Sequence, residues 1–174
     1  MGIIARHLFI WIKYLKMKRS ILAIAILFVV TAFGCQNSSG QVDKRKLSKP
    51  ADEWKKTLTP NQYHIMVESG TELPYQNDYW NNHQKGVYVS AATGEVLFSS
   101  DDKFDSGTGW PSFVKPVDST KVAIIHDDSY GMSRDEVIEK STGLHLGHVF
   151  DDGPANRGGK RYCMNSGALK FIKK

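Results

Sequence analysis

From Gly86 to the C-terminus, β-branched and aromatic residues come in runs of three to five, bounded by serine, glycine and aspartate. Gly86-Val87-Tyr88-Val89-Ser90 and Glu95-Val96-Leu97-Phe98 flank Ala91-Ala92-Thr93-Gly94, the pattern of a hairpin. Residues 122–125, 136–139, 148–150 and 168–172 are further strand candidates. This spacing suits antiparallel sheets with short turns, so the chain is expected to be mainly β. Two short helices precede the strands. Asp52-Glu53-Trp54-Lys55-Lys56 opens the first. Thr59-Pro60-Asn61-Gln62 caps the second, with Pro60 at its first position, Tyr63, Met66 and Val67 on one face and Gly70 at its end.

The N-terminal third has a different character. Met17-Lys18-Arg19-Ser20 leads into an almost wholly apolar run from Ile21 to Phe33, then Gly34-Cys35. Two bases, about a dozen apolar residues and a small residue describe a secretory signal, too short for a comfortable membrane span of ~20 residues. Ala32-Phe33-Gly34-Cys35 resembles a bacterial lipobox, with Ala32 and Phe33 where a branched aliphatic and a small residue are usual. That resemblance implies lipidation of Cys35 and a protein anchored to a cell-envelope membrane, facing the periplasm or exterior. An uncleaved N-terminal anchor is the competing reading. Residues 1–16 look like an upstream extension, since Met17 alone begins a well-formed signal. Residues 36–50 are polar and read as a flexible tether, with Lys44-Arg45-Lys46 solvated. Residues 51–174 then make one domain, expected to act as a monomer.

The charge belongs to the leader. The chain has 23 Lys+Arg and 18 Asp+Glu, a net of +5. Arg6, Lys13, Lys16, Lys18 and Arg19 precede Cys35 and no acid does. Beyond Cys35 the remaining 18 bases face 18 acids. The basic face expected of a nucleic-acid binder is missing.

Three segments carry chemistry. Cys163 lies in Arg161-Tyr162-Cys163-Met164-Asn165-Ser166 and is the only cysteine besides Cys35. A lone thiol is either a small core residue or a nucleophile. On a strand, Arg161, Cys163 and Asn165 share one face. Arg161 would favour the thiolate, and Asn165 could donate to a bound oxygen. In Ser106-Gly107-Thr108-Gly109-Trp110-Pro111-Ser112-Phe113, two glycines permit a tight turn that can aim an indole over a pocket; an ordinary surface turn is the alternative. His145-Leu146-Gly147-His148-Val149-Phe150-Asp151-Asp152-Gly153 places two histidines at i and i+3, suited to metal ligation, acid/base work or hydrogen bonding.

In this order and spacing, these segments resemble the B-class methionine sulfoxide reductases, from about Trp54 to Ile172 and including Gly70-Thr71-Glu72. The resemblance implies two antiparallel sheets with small N-terminal helices. It implies Cys163 as the nucleophile that takes oxygen from methionine-R-sulfoxide and becomes a sulfenic acid. His145 and His148 would supply protons, with Asp152 orienting or charging one of them. Asn165 and Arg161 match active-site positions, and Trp110 would pack against the methyl group on sulfur. The substrates implied are oxidised proteins or peptides, and the reductant a thioredoxin-like or other thiol.

The chain also departs from that family. Many relatives bind a structural zinc through two C-x-x-C pairs; here the matching positions are Ser90, Thr93, Glu139 and Thr142, so no metal or other cofactor is expected. Thr108 stands where many relatives carry a resolving cysteine. A papain-like hydrolase and a noncatalytic binding lipoprotein are the alternative classes. Neither accounts for the Cys163 face.

Overall fold

The computed structural model describes residues 45–128 and 131–174. The leader, Cys35 and residues 36–44 lie outside the described residues. Helix α1 is Ala51–Thr57 and α2 is Pro60–Met66. Thr59 starts α2 with a capping box: its hydroxyl accepts from the Gln62 N–H, and the Gln62 side chain accepts from the Thr59 N–H. Trp54 of α1 and Ile65 and Met66 of α2 turn into the core. Gly70 is not the left-handed residue beyond α2. Ser69 takes that conformation, at φ 57°, and the Gly70 N–H donates to the His64 carbonyl at 2.9 Å.

Among the described residues nine strands follow, all paired antiparallel: β1 Gly86–Ser90, β2 Val96–Ser99, β3 Lys103–Phe104, β4 Ser112–Phe113, β5 Val122–Asp127, β6 Arg134–Glu139, β7 His145–Phe150, β8 Arg161–Met164 and β9 Leu169–Lys173. They form a three-stranded sheet, β2-β1-β9, and a six-stranded sheet, β3-β4-β8-β7-β6-β5. The mainly β class, the two antiparallel sheets and the small helices expected from the sequence are all present. Residues 91–94 make the expected hairpin between β1 and β2. β5, β6 and β7 each extend two or three residues beyond the apolar run that marked them, because their ends are polar.

Period-two alternation sorts the large sheet into two faces. In register, Phe113, Tyr162 and Val149 align, as do Val137, Gly147 and Met164. These side chains join the core. Phe113 stacks on Phe98 at 4.6 Å and meets Tyr88 of the small sheet edge-on at 5.0 Å. Such pairs contribute about 0.5–1.5 kcal/mol each beyond their buried area. Gly147 is required for close approach, since a Cβ there would sit 2.2 Å from the Cys163 carbonyl oxygen.

The ordered fold begins earlier than the polar composition suggested. The Ser48 N–H donates to the Thr142 carbonyl at 2.8 Å, Leu47 packs on the core, and Arg45 is buried. Its neighbours in sequence are hydrophilic, and only the tertiary fold supplies the carbonyls and carboxylate that receive Arg45.

Candidate active site

The face of the large sheet opposite the core carries the chemistry. Its register aligns Ser112 of β4, Cys163 of β8, His148 of β7 and Glu136 of β6 in one cross-strand row. Directly opposed residues on antiparallel strands have Cβ atoms about 4.5–5.5 Å apart, so Cys163 lies between a hydroxyl and an imidazole. Ser112 and Glu136 are buried, so this polar face must satisfy itself.

Arg161 begins β8, two residues before Cys163 on the same face. Its guanidinium lies over the Phe150 ring at 4.4 Å and makes two hydrogen bonds to Asp152, at 2.8 and 2.9 Å. Asp152 was expected to orient a histidine; its partner is Arg161. That bidentate pair fixes the guanidinium geometry and leaves its charge beside the thiol. Burial pushes the Cys163 thiol up, above its ordinary range. The Arg161 charge and the Thr108 and Ser112 hydroxyls oppose that shift. Those hydroxyls belong to a short chain: Ser106 Oγ lies 2.8 Å from both Thr108 Oγ1 and Ser112 Oγ.

A bulge brings the two histidines together. An i, i+3 pair on a regular strand points to opposite faces. Here His148 pairs with Glu136, Gly147 with Val137, and His145 with Ile138, so Leu146 is an extra residue. His145 therefore joins the face of His148, with ring centroids 5.3 Å apart. His145 is fully buried, and its Nδ1 lies 2.6 Å from Glu136 Oε1. Asn165 fixes its tautomer. The Glu72 N–H donates to Asn165 Oδ1 at 3.2 Å, and Asn165 Nδ2 donates to the Leu146 carbonyl at 3.3 Å. With both ends of the amide oriented by backbone groups, Nδ2 faces His145 Nε2 at 3.4 Å as a donor. His145 Nε2 must then accept, and its proton sits on Nδ1 toward Glu136. Both nitrogens of His145 are thus engaged.

His148 differs. Its Nε2 lies 3.3 Å from Asp127 Oδ2, which also pairs with Arg134 at 3.0 Å. Burial pushes His148 down to about 4, with His145 and Arg134 adding to the shift and Asp127 opposing it. The ring is neutral at pH 7. It donates Nε2–H to Asp127, which leaves Nδ1 without a proton. The resemblance implied that His148 would supply protons; its buried setting keeps the ring neutral and makes it a weak base.

Trp110 stands two residues before Ser112, on the loop beside the row. Its Nε1–H donates to the Glu72 carbonyl at 3.0 Å, which fixes the indole. Gly107 and Gly109 have φ of 70° and 87°, the left-handed conformation this turn requires. The Tyr75 hydroxyl donates to the Gly107 carbonyl, and Asn77 Nδ2 donates to the Gly109 carbonyl at 2.7 Å. The Glu72 carboxylate accepts from the N–H groups of Ser166 and Gly167, and burial pushes it up. Residue 72 therefore ties the Trp110 loop to Asn165 and the turn after β8.

β8 ends at Met164, and Asn165 starts a 3₁₀ turn, Ser166–Ala168. Asn165 works against His145 through that turn rather than as a third strand residue. The sequence alone did not identify Glu72, Arg45, Asp127 or Glu136 as site residues. For Glu136 a signal existed: it shares a strand face with Ile138, and a carboxylate there needs a partner.

The four positions noted for lacking cysteine do meet. The Thr93 and Thr142 hydroxyls donate to the two oxygens of fully buried Glu139, at 2.5 and 2.7 Å. Ser90 Oγ accepts from the Ala92 and Thr93 N–H groups. One carboxylate and three engaged hydroxyls do not fit a tetrahedral thiolate zinc site. Among the described residues, no group of three or more His, Cys, Asp or Glu is placed to hold a metal ion.

Comparison with known proteins finds one matching family and close relatives. The family described as the SelR domain matches residues 58–173. A protein of Methanosarcina barkeri named peptide methionine sulfoxide reductase MsrB is 52% identical over 128 residues, covering 74% of this chain and 89% of that protein. A protein of the same name from Methanosarcina mazei is 49% identical over 130 residues, covering 75% and 92%.

The electrostatics of Cys163 give a measurable expectation. A raised thiol pKa means the thiolate accumulates only at higher pH, so alkylation by iodoacetamide should keep accelerating beyond the ordinary thiol pKa of ~8.5. Arg161→Met removes the main opposing charge and should raise the pKa further, slowing alkylation at pH 8 by roughly three- to tenfold. A wild-type rate that levels off below pH 8 would contradict this.

Proposed function

The chain belongs to the SelR-domain family and is a methionine sulfoxide reductase of the B class, and from that premise we propose that it reduces protein-bound methionine-R-sulfoxide through a sulfenic acid on Cys163. The observation that carries the proposal is the row Ser112, Cys163, His148, Glu136, with Arg161 at one side and the Trp110 loop at the other. In the reaction the oxygen passes from the methionine sulfur to the Cys163 sulfur. The thiol proton ends on that oxygen, methionine leaves as the thioether, and Cys163 is oxidised by two electrons. As attack proceeds the thiol proton is relayed past neutral His148 to the sulfoxide oxygen in one concerted transfer, since a ring pushed down to about 4 does not hold it. Arg161 stabilises the thiolate meanwhile. His145, held between Glu136 and Asn165, keeps the Asn165 amide in place beside the pocket. The Trp110 indole supplies a flat apolar wall for the methyl group on sulfur, which distinguishes the epimers by shape.

Two thiols of an external reductant then return the enzyme: one attacks the sulfenic sulfur and releases water, the second resolves the mixed disulfide. Thr108, whose hydroxyl contacts the thiol, supports a direct role for that reductant, because no cysteine stands there. We read residues 1–35 as an export signal with lipidation at Cys35, which would place repair of oxidised exported proteins at an envelope membrane. The Glu139 cluster takes the place of a zinc staple in this reading.

Turnover with separated epimers should proceed on R and fail on S; equal rates would sink the assignment. Cys163→Ser should stay folded and lose turnover by orders of magnitude, since a hydroxyl is a far weaker nucleophile.

After one equivalent of substrate without reductant, dimedone should trap a sulfenic acid at Cys163. Thr108→Cys should replace that adduct with a disulfide and speed recycling by thioredoxin. Elemental analysis of the purified protein should find no stoichiometric zinc, and one zinc per chain would overturn the cofactor reading.

Cys35→Ala should release the protein from membranes or leave it unprocessed. Unchanged extraction and processing would favour a plain anchor.

A further inference from the structure

Arg45 lies in a stretch whose composition is that of a solvated tether, yet its side chain is only 2% exposed. Its guanidinium donates to the Met66 and Val67 carbonyls, at 3.2 and 2.9 Å, where α2 ends. A cation satisfies the last carbonyls of a helix and suits the negative end of its dipole. The same guanidinium turns the other way to a carboxylate: Nε lies 3.6 Å from Glu136 Oε1. That oxygen is the one His145 Nδ1 reaches at 2.6 Å. Two contacts hold the segment down, the Ser48 N–H to the Thr142 carbonyl and Leu47 against the core.

A buried carboxylate needs partners that fix its place, and Glu136 has Arg45 on one side and His145 on the other. If the Glu136 carboxylate turned away, His145 Nδ1–H would lose its acceptor and the ring proton would be free to sit on Nε2. Nε2–H would then confront the Asn165 Nδ2 donor. Asn165 has no relief by flipping, since its oxygen would face the Leu146 carbonyl and its nitrogen the Glu72 N–H. Either His145 or Asn165 would have to move. Glu72 carries such a shift onward, because its carbonyl holds the Trp110 indole.

We propose that Arg45 is a positioning residue of the active site, which holds the Glu136 carboxylate against His145 Nδ1 and so keeps His145 in the Nδ1–H tautomer that Asn165 requires. The proposal rests on the reading of His145 and Asn165 as site residues. It makes the segment before α1 part of the catalytic unit.

The test uses the full chain labelled with ¹⁵N-histidine, in wild type, Arg45→Met and Arg45→Lys. Nitrogen shifts report the His145 tautomer, and steady-state assays on R-sulfoxide report kcat and KM. Wild type should show Nδ1–H. Arg45→Met should show Nε2–H or a mixture, with kcat down about tenfold as Asn165 is displaced. KM should change by less than about twofold, the signature of an interaction outside substrate binding. Arg45→Lys keeps a charge but loses the two-carbonyl clamp. It should lower the melting temperature while preserving the tautomer and most of kcat.

Nε2–H in wild type would overturn the proposal, as would an Arg45→Met protein with unchanged tautomer and kcat. Should Arg45→Met fail to fold, Arg45→Lys still decides, because a changed tautomer there would refute the role of charge. If the reductase reading itself were wrong, turnover would be absent from every sample while the tautomer shift remained.

Discussion

Cys163 and His148 oppose each other across one rung of the β7–β8 ladder, and Ser112 and Glu136 continue that rung on either side. The alternation that sends Phe113, Val149 and Val137 into the core sends these four polar groups to the other face. Much of that face is closed to water, since Ser112, Glu136, His145 and Asn165 are buried, while Cys163 and His148 stay half-buried. Burial of so many polar groups is tolerable only when each finds a partner. The surroundings of the rung follow from that need. Residues 72–77 cover the Trp110 loop and Asn165, Asp152 takes Arg161, Asp127 takes His148, and the segment before α1 delivers Arg45 to Glu136.

The same burial sets the proton state of the site. It pushes the thiol up and His148 down, so the resting pair is a neutral thiol beside a neutral imidazole. An ion pair formed in advance would be costly here. In the proposed reaction the charge needed for attack would develop as substrate binds, next to an Arg161 already oriented by Asp152. The β7 bulge matters equally. Without the extra residue at Leu146, His145 would point into the core and Asn165 would lose its partner.

Much of the fold was legible along the chain. Thr59-Pro60-Asn61-Gln62 announced α2 because a capping box is local, its groups three residues apart. β1, β2 and their hairpin were legible from alternation and a Gly94 turn. Strand ends were not, because Asp127, Arg134 and His145 are polar, and the sheet that orders them is nonlocal. The three motif segments were recognisable as a set, and the structure brings them to the two central strands of that sheet, β7 and β8, and the loops beside them.

The sequence by itself determined the residue types of the site, their order, the class of fold and the absence of thiols at residues 90, 93, 108, 139 and 142. Those are properties of the covalent chain and of periods a few residues long. Tertiary structure alone decided the pairings: Asp152 with Arg161 rather than a histidine, Glu136 with His145, Glu72 with Trp110 and Asn165, and Arg45 with Glu136. Each joins residues on different segments, so no local pattern encodes it. The bulge that turns His145 to the same side as His148 belongs here too. A bulge is a mismatch between two strands, and one strand read alone carries no sign of it.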